Sequence, residues 1–284
     1  RHTPARVGHT REDGLLPRET ATLRPSVIRR LNAFWRPWAI NQSTKSEIAI
    51  RRSNSFWRAL AARSRLTLFH FEKNKFWAFK QMGIAPLSFH KISGLLFAKL
   101  MGTGAGSGFS LFPDFSTYAF LGVWENPNAA SVFFEDSAFM KNYKKNTIKI
   151  RTFFLKPIQS HGRWDGINPF ESKLKSKEIP KGKIAIITRA TLRWQRLLSF
   201  WAAVPRASRA IEQAVGVHYY KGIGEWPFIQ QATISIWDNM NAVQNFAYKQ
   251  KAHADIVKDT RKKKWYKEDL FSRFELLEDI IHEQ

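Results

Sequence analysis

At 284 residues, with 44% hydrophobic and 14% aromatic side chains, the chain is long enough for one large or two modest domains around a buried core. It has no Cys, which excludes disulfides, zinc knuckles, iron–sulfur ligation and thiolate-ligated haem, so any redox metal must be held by His, carboxylate or Tyr. Lys and Arg outnumber Asp and Glu by 46 to 23, a balance suited to nucleic acid, an anionic membrane surface or an acidic partner.

Lys, Arg or Asn interrupts every apolar stretch before it reaches the roughly 18–20 residues of a membrane-spanning helix. Residues 1–65 hold 14 Lys/Arg against four acids and show little periodicity. This composition reads either as a basic arm or as an extension foreign to the body that follows, and it lacks the apolar stretch and small-residue site of a secretory signal.

From Leu66 the pattern alternates. Strands are predicted at Leu66–Phe71, Leu95–Met101, Thr117–Trp124 and Ile148–Lys156, with helices at Lys73–Met82 and Asn126–Lys145. Asn126 followed by Pro127 is an N-cap with proline in the first helical position. The Gly102–Gly108 run is a flexible loop, and Gln159–Gly182, rich in Gly, Pro and charge, reads as a connector. Downstream the order returns: strands at Lys183–Ala190, Val217–Ile223, Phe228–Trp237 and Leu270–Leu277, helices at Trp194–Ala214 and Asn239–Arg261.

Residues return as well as elements. FWA at 76–78 recurs at 200–202, KLMG at 99–102 as KGIG at 221–224, and VWENPNAASVFF at 123–134 as IWDNMNAVQNFA at 236–247. The expectation is an α+β protein built as an internal duplication, two tandem ferredoxin-like β-α-β-β-α-β repeats whose apolar sheet faces pack or close as in dimeric α/β-barrels. The expected divisions are the arm at 1–65, repeat 1 at 66–158, the connector at 159–182 and repeat 2 at 183–284.

KLMGTGAGSGFSLFPDFSTYAFLGVWE (99–125), HGRWDGINPF (161–170), ITRATLR (187–193), KGIGEWP (221–227), KAHADIV (251–257) and WYKEDLFSRFELL (265–277) together resemble the signature segments of the spheroidene monooxygenase family. The resemblance implies a ferredoxin-like haem b enzyme that inserts oxygen into acyclic carotenoids with electrons from a ferredoxin. It implies a cytoplasmic protein, free or peripheral to the inner membrane, with carotenoid and ferredoxin as partners rather than nucleic acid. The oligomeric state stays open, a homo-oligomer included. Two other readings remain: a different haem enzyme on the same fold, such as a dehydratase or a peroxidase-like protein, and a non-enzymatic basic binding module.

In a Cys-free haem protein a neutral His is the usual axial ligand. His253 lies on a predicted helix face with Ala242, Phe246 and Val257, and the overlay of Trp124 on Trp237 puts Met140 at its place in the first repeat. The family resemblance adds a KxH-like segment there, making His253 the candidate metal and cofactor ligand, with a core or helix-end histidine as the plainer alternative. His90, His218 and, further out, His70 are weaker candidates. His161, Arg163 and Trp164 form one polar-aromatic cluster and Arg189, Thr191 and Arg193 another. Arg163 and Arg189 are candidate propionate partners, and Arg189 with Glu225 the candidate catalytic pair. Lys221, a candidate cofactor contact, matches Lys99, and both can equally serve as rim lysines whose stems cover the sheet.

Overall fold

The computed structural model describes residues 63–106, 110, 112–171, 180, 182–226, 228–249 and 263–283. The first half comprises β1 (Ser64–His70), α1 (Lys75–Ile84) with a 3-10 helix (Ala85–Lys91), β2 (Leu95–Gly104), β3 (Pro113–Trp124), α2 (Pro127–Asp136), α3 (Ala138–Asn146) and β4 (Lys149–Gly162). The second comprises β5 (Ile184–Leu192), a 3-10 turn (Trp194–Arg196), α4 (Leu197–Trp201), α5 (Val204–Glu212), β6 (Val217–Trp226), β7 (Gln230–Trp237), α6 (Met240–Gln244) with a π-helical turn (Asn245–Lys249), and β8 (Tyr266–Glu283).

All strand pairs are antiparallel, and the eight strands close into one barrel in the order β1-β3-β2-β6-β7-β5-β8-β4. Within it the first half reads β4-β1-β3-β2 and the second β8-β5-β7-β6. The halves join at two seams, Gly102↔Gly224 with Thr103↔Ile223 on one side and Lys149↔Glu283 through Gly162↔Leu270 on the other. Because side chains alternate along a strand, Leu66, Leu121, Phe153, Ile187, Ile234 and Phe274 fill the barrel interior. Phe69, Phe120 and Trp124 face outward under α2 and α3, and Ile184, Ile186 and Trp237 under α6. Each such fully buried side chain contributes roughly 1.5–3 kcal/mol.

The strands predicted from sequence appear in order; β2 runs on to Gly104, so Gly102–Gly104, expected in the flexible loop, are strand, and three further departures have local causes. The helix expected over Asn126–Lys145 breaks at Ser137, whose extended backbone ends α2 while its hydroxyl accepts from the Met140 N–H to cap α3. The helix expected over Trp194–Ala214 is divided because Pro205 starts a new helix rather than continuing one. β4 continues to Gly162, accommodating Pro157 at a register shift, so Gln159–Gly162, expected in the connector, are strand.

As far as Glu171 the connector is no solvated linker. After Gly162 the chain turns through Asp165 and Gly166, both at positive φ, and sends Trp164 and Phe170 into the barrel core, where both are buried. Gly162 makes this return possible: its φ is +87°, and a Cβ there would sit 2.2 Å from the Asp269 carbonyl oxygen. Gly162→Ala is therefore expected to destabilise the protein by about 1–3 kcal/mol, read as a lower urea midpoint.

Candidate functional site

The barrel has two unlike mouths. At one lie the C-terminal ends of β1 and β2 and the first residues of β4 and β6; at the other lie the ends of β4, β5 and β6.

The second mouth is closed by the Trp164–Phe170 segment and clasped by charge. Arg189, its side chain 1% exposed, ion-pairs with Glu268 through Nη1 and with Asp165 through Nη2 at 3.1 Å. Glu268 also accepts the backbone N–H groups of Asp165 and Gly166, each at 2.9 Å. Lys99 pairs with Asp165 and, at 2.6 Å, with Glu225, whose other oxygen accepts the Trp164 indole N–H at 2.7 Å. Partial burial works against an ionised Glu268, but the Gly166 and Asp165 N–H groups and the Arg189 guanidinium outweigh it and hold its pKa below 4.5. Burial likewise disfavours charged Lys99, yet hydrogen bonds to Asp165 and Glu225 leave its pKa raised.

The first mouth opens into a pocket of about 460 Å³ whose lining includes His70, Thr117, Arg151, Tyr219 and Lys221. Asp279 holds Arg151 bidentately at 2.9 and 2.7 Å, and the guanidinium lies 4.3 Å from the Tyr219 ring centroid. Burial pushes the Tyr219 phenol up to about 12, so it stays a neutral donor at physiological pH. His70 Nδ1 lies 3.0 Å from Thr117 Oγ1. Lys221 donates to the Gly106 carbonyl at 2.8 Å and approaches Asp114 at 3.5 Å, tying the β2–β3 hairpin to β6.

The structure thus gathers Arg189, Glu225 and Lys99 into one network and puts Lys221 at the opposite mouth. Arg163 is exposed, and its backbone N–H meets the Asp269 carbonyl at 2.7 Å. His161 stacks on Phe271, His218 pairs with Asp238, and His90 is exposed on the 3-10 helix. His253 lies outside the described residues. Sequence reading passed over Asp165, Glu268, Arg151 and Tyr219. Asp165 carries a usable signal, since Asp-Gly marks a tight turn, whereas Glu268, on the unpredicted start of β8, carries none.

Glu268→Ala should cost about 3 kcal/mol by leaving a buried guanidinium short of a partner. Since the folded-state pKa of Glu268 is depressed, its contribution is full above pH 4.5 and is lost as pH falls through the lowered value. Melting temperature should therefore fall less steeply with acid below pH 4.5 in Glu268→Gln than in the unsubstituted protein, as measured by calorimetry.

No family model matches the chain. Spheroidene monooxygenase of Cereibacter sphaeroides is 32% identical over 218 residues, covering 76% of this chain and 67% of that protein. The spheroidene monooxygenase of Rhodobacter capsulatus is 27% identical over 214 residues, 75% and 89% of the two chains. Among solved structures, an aldoxime dehydratase shares 12% identity over 75% of this chain and 80% of its own, with a TM-score of 0.49, and an anthrone oxidase-like protein 12% over 77% and 92%, with 0.29. On the sequence relatives alone, the chain belongs to the spheroidene monooxygenase family.

Proposed function

We propose that this protein is a monooxygenase that inserts oxygen into an acyclic carotenoid or a similarly long apolar molecule, using haem b held by His253 and electrons from a ferredoxin. The observation that carries the carotenoid monooxygenase reading is the 32% identity to spheroidene monooxygenase over 218 residues.

The outer face of the second half suits such a group. Val243 and Phe246, on α6 and its π turn, pack there with Ile184 and Ile186, and His253 follows Phe246 by seven residues in the sequence. On the same face the Thr188 and Thr233 hydroxyls meet at 2.6 Å, and Arg273 lies over Phe271 and donates to Gln159 at 3.2 Å. The Arg273 Nε is buried with no hydrogen-bond partner, and a propionate carboxylate is the kind of acceptor such a group lacks. Haem, when bound, supplies the oxygen chemistry. His253 would hold the iron, Arg273 would meet a propionate, and the apolar side chains around them would exclude water. In this reading Arg189 and Glu225 act by position, clasping one mouth of the barrel shut.

We read the two halves as copies of one unit. The shared strand order supports this, as do Trp124 and Trp237, which end β3 and β7 just before Asn126 and Asn239, each capping a helix by accepting from the N–H three residues on.

Purified with haem, the protein should show a Soret band and convert spheroidene, with reduced ferredoxin and labelled dioxygen, to a product carrying the label. His253→Ala should abolish the band, with partial return on adding imidazole, while His218→Ala keeps it. A Soret band that survives His253→Ala would refute the ligand, and a haem-loaded protein without product from any acyclic carotenoid would refute the activity.

A further inference from the structure

Among the described residues, several large apolar side chains remain in solvent at each end of the barrel. At the pocket end, Phe76 on α1 and Phe112 on the β2–β3 hairpin are 75% and 76% exposed, and Phe79 and Phe115 are about half exposed. The rings of Phe79 and Phe115 meet edge to face with centroids 6.0 Å apart, so helix and hairpin present one patch rather than scattered residues. At the plugged end, Trp194, Leu198 and Trp226 are exposed in the same way.

Charge identifies what the first patch fits. Lys73, Lys75 and Lys80 are exposed beside the four rings and outnumber the one exposed acid on that stretch, Glu72. A second copy docking isologously would bring lysine against lysine. An anionic bilayer accepts both features at once, the rings at the boundary between headgroups and acyl chains and the ammonium groups among the phosphates.

The pocket decides which end faces the lipid. Thr117, two residues from Phe115 on β3, and Gly106, on the same hairpin, both line the pocket, whereas the far mouth is filled by Trp164 and Phe170. We propose that α1 and the β2–β3 hairpin form the surface by which the protein docks on an anionic bilayer, holding the pocket mouth against the lipid. Docking in this orientation does not depend on the proposed function.

The absence of Cys allows a single thiol to report insertion. Phe112→Cys and Trp194→Cys, each in the full chain and labelled with an environment-sensitive dye, are mixed with vesicles of phosphatidylglycerol and phosphatidylcholine. The salt is roughly 0.5 M, where the screening length falls to a few ångströms and purely electrostatic attachment is suppressed. The label at 112 should shift to the blue and brighten about threefold while that at 194 stays unchanged, and adding Phe76→Ser with Phe79→Ser should weaken vesicle affinity about tenfold. No change at 112, equal changes at both positions, or affinity that survives the two serines overturns the proposal. So does an oligomer that dissociates on the serine substitutions while vesicle binding persists, since the patch would then be a contact between copies. Conversion of detergent-dispersed spheroidene is measured in parallel. Its failure with vesicle docking intact removes the proposed activity and leaves the docking surface standing.

Discussion

Closure of the strand ring across its short seam is the constraint on which the remaining architecture depends. Among the described residues β2 and β6 are in register over Gly102↔Gly224 and Thr103↔Ile223. Gly224 fits because its backbone runs so close to the Gln230 carbonyl that a Cβ would lie 2.8 Å from that oxygen. Without the seam the eight strands, still joined through β4 and β8, would form an open sheet with unpaired edges at β2 and β6 and a bare apolar face. With it, the inner faces of both halves bury one another and the helices are left to cover the outside.

Closure makes the two mouths topologically alike, and side chains then make them different. By register, Leu68 stands in the first half where Arg189 stands in the second, and Lys149 where Glu268 stands. One mouth therefore has a guanidinium and a carboxylate positioned to clasp a returning segment, and the other does not. Burying Arg189 carries a desolvation cost that only well-placed carboxylates offset, which is why Asp165 and Glu268 converge on it and why the 163–171 segment has a single way to sit. Lys99 and Lys221 repeat the lesson at matching positions: the first joins the clasp, and the second fastens a hairpin beside the open pocket.

Much of this was legible in the residues. Strand alternation gave the element order, and the VWENPNAA and IWDNMNAV segments located the two Asn caps. The breaks at Ser137 and Pro205 carry ordinary local signals that a long apolar period masks. The connector was misread because Gly, Pro and charge describe a linker and a tight return equally well, while Trp164, Ile167 and Phe170, spaced by three, hold too little period to mark a plug. Arg189 and Glu225 were legible as functional-looking groups, but the carboxylate and indole that join them into one network come from the β4–β5 connection and from β8. Such pairings, 24 to 79 residues apart, are set by barrel closure and not by local pattern.

β8 has a further consequence for how the molecule is made. Its 18 residues pair with β5 along the lower part and with β4 as far as Lys149↔Glu283. During synthesis the first half can assemble its four strands early, but one edge of β4 and one edge of β5 must wait for the last element to emerge. Until then the nascent chain presents unpaired strand edges and an uncovered apolar interior, the features that recruit chaperones and promote aggregation. A chain released before residue 266 would therefore be a half-finished ring, open along β4 and β5.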